Sequence, residues 1–160
     1  RNKIKNHPRY PYHLLREEMQ EFILDKLQLL IERKLIKGIG ENGTEYTVIA
    51  QILDLPKEIL RLIQKFDFTK KNPKLIYINT GETMISLQDS ILVTFLNLAG
   101  FDILFFVPTG YQSVENYFAE KLMEEHQIGE YKYDMQVPDL NNISTNSTRP
   151  SWRRKLFRRG

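Results

Sequence analysis

The chain has no cysteine among its 160 residues. That excludes disulfides and thiol chemistry and fits a reducing compartment. It also lacks any apolar run near the roughly 18–20 residues needed to span a bilayer, and no signal peptide is visible. Neither the glycine fingerprint of dinucleotide-binding folds nor a Walker-type phosphate loop is present. No complete catalytic signature stands anywhere in the chain, so enzymatic activity is left open. The first residue is Arg1 rather than Met, so a piece of a longer polypeptide is expected, and the sheet described below is expected to continue upstream.

Charge is unevenly placed. The net charge is +3, but Arg149, Arg153, Arg154, Lys155, Arg158 and Arg159 follow Asp139 with no acid among them. Subtracting those six from +3 leaves residues 1–139 at −3. The body is therefore mildly acidic, which disfavours nucleic acid as a partner. The tail, residues 139–160, is rich in Asn, Ser and Thr and reads as flexible. Its run Trp152 to Arg159 interleaves basic and aromatic residues and suits an anionic surface, or is a solvated terminus.

The stretch Lys74 to Tyr111 organises the rest. Lys74 to Thr80 is a run of β-formers, followed by a turn at Gly81-Glu82. Ser86 with Asp89 three positions on resembles a capping box, and Ile91, Leu92, Phe95, Leu96 and Leu98 recur at helical spacing up to Gly100. Phe101 to Val107 is apolar apart from Asp102, and Pro108-Thr109-Gly110-Tyr111 closes it. Two such strands joined by a capped helix predict a parallel βαβ unit covered on both faces. After Ser113, which can cap a helix, Val114 to about His126 carries Tyr117, Phe118, Leu122 and Met123 at helical spacing. Glu130 to Val137 alternates with period two and predicts a third strand.

Upstream, residues 1–13 read as an extended, basic lead-in. One long helix is expected from about Leu14 to Lys37, then two short helices over Glu45 to Phe68 divided near Asp54-Leu55-Pro56. The fold class is thus α/β. An N-terminal helical module, residues 1–72, precedes a small three-stranded parallel Rossmann-like layer, residues 73–138. The spacing of Ala50 to Ile63 also resembles a helix-turn-helix, with Lys57, Arg61, Gln64 and Lys65 outward, though Asp54 and Asp67 oppose a DNA role.

In open α/β sheets ligands bind beyond the carboxyl ends of the strands, where helix N-termini favour phosphate or carboxylate. Asn79, Thr80, Glu82, Thr109, Gly110 and Tyr111 are therefore the candidate site, with a phosphorylated or nucleotide-like small molecule as ligand. The plainer reading is that Thr-Gly is good turn chemistry. Asp102, at the opposite end of its strand, reads as a turn or cap residue. His126 reads as a helix C-terminal cation rather than a metal ligand, no metal is expected, and any cofactor is left open.

The runs Gly100 to Gln112, His126 to Tyr131 and Asn79 to Asp89 resemble the YceG-like family. That family is described as a component of a biosynthetic module in bacterial tellurite-resistance and stress gene clusters. The resemblance covers about the second half of the chain. It implies a bacterial cytoplasmic protein that works beside other proteins of the same module. The family brings no established catalytic residues, so no role is carried to any position. A non-catalytic protein-interaction module is the competing reading.

Overall fold

The computed structural model describes residues 2–65, 72–82, 85–111 and 115–137. Among these the chain forms five helices and a two-stranded parallel sheet. The helices are α1 (Asn2–Lys5), α2 (Glu17–Glu32), α3 (Thr44–Ile52), α4 (Lys57–Lys65) and α5 (Leu87–Leu98). The strands are β1 (Lys74–Ile78) and β2 (Asp102–Phe106), on either side of α5 in the chain.

The βαβ unit forms as its sequence dictates. The Ser86 hydroxyl accepts the Asp89 N–H at 3.0 Å and donates to its carboxylate at 2.7 Å, closing the start of α5. At the other end Gly100 takes φ +98°, which an L-residue rarely adopts. Its N–H donates to the Asn97 carbonyl at 2.9 Å, and the Phe101 N–H donates to Leu96 at 3.0 Å. This is a Schellman ending, and it turns the chain directly into β2. The strands pair in parallel from Lys74↔Asp102 to Ile78↔Phe106.

Helix α5 buries Ile91, Val93, Phe95 and Leu96, packing on α2, α3 and the inner face of the sheet. Met19, Ile23, Leu24, Leu27 and Leu30 of α2 and Val48 and Ile52 of α3 complete a continuous core. Pro56 stands before α4 where a helix start tolerates it, so the expected division of 45–68 into two helices is present up to Lys65.

Four expectations are corrected. The lead-in is not a plain extended strap: it begins with α1, and Tyr10 and Tyr12 are buried in the core, edge to face with ring centroids 5.8 Å apart. The Tyr12 hydroxyl donates to the Ile52 carbonyl at 2.6 Å and accepts the Leu55 N–H at 3.0 Å, so it bridges the corner between α3 and α4. The long helix is shorter than expected at both ends. Residues 11–15 form turns, and Lys34 in a left-handed conformation (φ 49°) ends α2.

The helix expected from Val114 to His126 is not formed over 115–126. Its backbone is used elsewhere: Lys37 N–H donates to Tyr117 O and Ala119 N–H to Leu35 O, both at 2.9 Å. Phe118 thereby enters the core opposite Ile36. The third strand is also absent. Tyr131, Tyr133, Met135 and Val137 are exposed, no sheet edge pairs with them, and Asp134 (φ 56°) breaks the extended run. Ser113, Asp67 and the tail from Pro138 onward lie outside the described residues.

Candidate functional site

Because β1 and β2 are parallel and in register, their carboxyl ends lie side by side. The Asn79 N–H donates to the Phe106 carbonyl at 2.9 Å, carrying the ladder one residue beyond β1. The Asn79 side chain then accepts the Gly81 N–H at 3.2 Å, an Asx turn that positions Thr80 and exposes Glu82. On the β2 side the Gly110 N–H donates to Val107 O at 3.0 Å, and the Thr109 hydroxyl accepts the Tyr111 N–H at 3.3 Å. All six candidate residues thus stand at one edge of one sheet.

Their chemistry is largely used within the turns. Thr109 is only 9% exposed, and its hydroxyl holds its own turn. Gly110 takes φ +69°, and a Cβ built on it would fall 2.2 Å from the ring of Tyr131. That glycine therefore serves backbone conformation and the approach of Tyr131, whose segment is tied back by Lys132 N–H to Pro108 O at 2.8 Å. The first turn of α5, expected to favour an anion, already holds the Asp89 carboxylate. Tyr131 was missed because its alternation with Tyr133 reads as strand. Gly110 needing a neighbour without a clash was the only trace of it.

The remaining candidates are dispersed. Asp102 pairs with Lys74 at the amino end of the sheet, and that bond, with help from Asn72 at 3.4 Å, lowers its carboxyl pKa. His126 is not at a helix end. It is exposed, with Nε2 3.7 Å from Glu124. Among the described residues no three metal-ligating side chains converge. Lys57, Arg61, Gln64 and Lys65 of α4 are all exposed, with Glu58 among them. No described helix is long and apolar enough to cross a membrane.

The sheet's outer face is the more conspicuous surface. Ile76 and Ile78 of β1 stand beside Leu104 and Phe106 of β2, and all four are 41–56% exposed. The face expected to be covered carries no layer among the described residues. Tyr77 and Phe105, stacked at 5.1 Å on the inner face, show what cover does: burial raises the Tyr77 pKa.

A model of the YceG domain matches residues 1–148. The chain belongs to the YceG domain family. Within it, the chain is 31% identical over 93 residues to a protein of Bacillus subtilis (strain 168) called "Uncharacterized protein YceG". That match takes in 56% of this chain and 17% of the Bacillus protein, so the chain spans about a sixth of the length of the curated relative it matches. No solved structure matches. The YceG match reaches the N-terminal helices, well beyond the second-half runs that first suggested the family.

Proposed function

We propose that this part of the YceG domain is a non-catalytic assembly module, whose sheet docks an apolar helical layer from the rest of a longer YceG polypeptide. The observation that carries this reading is the outward row Ile76, Ile78, Leu104 and Phe106. Parallel sheets are found with helices on both faces, and four large side chains in register are unfavourable in water. The length of the Bacillus relative supplies the occupant, since most of it lies outside the matched residues. In such an assembly the sheet would gain the further strand and the Rossmann-like layering that the sequence suggests. The setting is cytoplasmic and the partners belong to the same stress-linked module, as the family resemblance implies.

The test is co-expression of this chain with the unmatched remainder of the Bacillus protein, followed by co-purification. The wild-type chain is expected to retain the remainder, and the Ile76→Lys/Leu104→Lys variant to lose it while melting within a few degrees of wild type. Retention by the double variant would refute the docking surface. A concentration-dependent dimer of this chain alone, abolished by the same pair, would assign the face to a second copy instead.

One observation favours a second reading, a phosphorylated or nucleotide-like ligand at the carboxyl edge. The register sets Asn79, Thr80 and Glu82 beside Thr109, Gly110 and Tyr111. A thermal-shift screen with sugar phosphates and nucleotides, run on wild type and Thr109→Val, separates the two. A ligand at about 100 Kd adds roughly 2.7 kcal/mol.

A further inference from the structure

The N-terminal segment borders an open hollow of about 260 Å³, lined by Lys3, Ile4, His7, Arg9, Tyr10 and Leu53. We infer that this hollow, between α1 and the end of α3, binds a small phosphate monoester with an apolar body. It is independent of the strand ends and of the sheet's outer face.

Ile4, Tyr10 and Leu53 give its lining an apolar part, and Lys3, His7 and Arg9, all exposed, also line it. No carboxylate lines it. The nearest acids on α2, Glu17 and Glu21, are engaged by Lys5, whose ammonium is held protonated by its bond to Glu17 and then by that to Glu21. Lys3 and Arg9 form no ion pair with a described residue, so their charge is unspent.

His7 is already oriented. Its Nδ1 accepts the Arg9 N–H at 3.2 Å, which leaves the proton of the neutral ring on Nε2. In that orientation the neutral ring donates from Nε2. A guanidinium fork, an ammonium and an imidazole N–H suit the three oxygens of a phosphate. The volume lies below the usual range for drug-sized ligands, which restricts the body to about one ring.

Phenyl phosphate and inorganic phosphate are the probes, each titrated at fixed pH and ionic strength into the full chain while the ring resonances of its three histidines are followed by NMR. Phenyl phosphate is expected to shift His7 saturably and leave His126 in place, and to bind at least several-fold more tightly than inorganic phosphate. Arg9→Gln is expected to weaken binding about tenfold, and Lys3→Gln by less. Both side chains are exposed, so both variants keep the fold, and Lys57→Gln on α4 serves as the unaffected control. Equal, unsaturable shifts at His7 and His126 would overturn the site. So would full affinity in both Arg9→Gln and Lys3→Gln, and equal binding of the two probes would overturn the role of the apolar lining. Unaltered binding in Ile76→Lys/Leu104→Lys keeps this result separate from the assembly reading.

Discussion

Removing one oxygen from Tyr12 should be among the most costly small changes in the chain. The side chain is 4% exposed, and its hydroxyl makes two hydrogen bonds to backbone groups of Ile52 and Leu55, both of which are buried residues. Tyr12→Phe keeps the ring and its edge-on contact with Tyr10, so packing is preserved. What is lost is two hydrogen bonds at about 1 kcal/mol each, plus part of the cost of leaving a buried carbonyl and N–H unpaired. Together these come to about 2–4 kcal/mol. For a chain of this size that corresponds to a melting point lower by roughly 5–15 °C. Urea unfolding followed by circular dichroism would measure it, with an unchanged m-value confirming that the denatured state is the same. A loss below about 0.5 kcal/mol would refute the bridge, because an exposed hydroxyl gives that result. The pH dependence adds a second check. Burial raises the Tyr12 pKa from 10.0 to about 12, so its contribution is complete below pH 10. Between pH 10 and about 12 the phenol ionises in the unfolded chain before it does in the folded one, and the contribution drains away. The gap between wild type and Tyr12→Phe should narrow across that window.

Ser86→Ala should destabilise by about 1 kcal/mol in urea titration, since it removes the acceptor for the Asp89 N–H at the start of α5. Gly110→Ala should cost about 1 kcal/mol from its positive φ, with an added clash against Tyr131. Tyr131→Ala should recover only the clash, and full recovery in the double variant would show that φ is not the constraint. The Asp102 carboxyl is held below its usual pKa, chiefly by Lys74, so its stabilising share is present above about pH 4 and lost as pH falls further. Lys74→Gln should flatten that part of the acid-unfolding profile and change little at neutral pH, because both side chains are exposed.

The βαβ unit was legible because its signals are local. A Ser cap, a helical apolar period and a glycine at the exit all act within a few residues of the structure they specify. The Tyr10-Pro11-Tyr12 segment was not, because the partners of the Tyr12 hydroxyl, Ile52 and Leu55, lie 40 and 43 positions away. Residues 115–119 carry a helical period that tertiary pairing overrides: the edge at 35–37 takes their backbone groups, and of the described residues of the expected apolar face only Phe118 is buried. Alternation over 130–137 satisfies the rule for a strand, but a strand needs an edge to bond with, and alternation does not say whether one is available. The candidate site was legible in place and not in state. Parallel pairing does bring the two turns together, while the turns' use of their own donors and acceptors depends on side-chain rotation that composition does not encode.

The two-stranded sheet has a consequence for handling the protein. Among the described residues each strand has one neighbour only, and its other side carries a row of peptide groups with no partner strand there. Ile103 to Val107 is an uncharged, proline-free window of β-formers, the composition that templates cross-β stacking. Pro108 at one end and Asp102 at the other act as gatekeepers, and Lys74 with Pro73 does the same for β1. Fibril seeding from β2, accelerated only by acid strong enough to neutralise Asp102, whose carboxyl is held below its usual pKa, is the failure mode to guard against during concentration and storage.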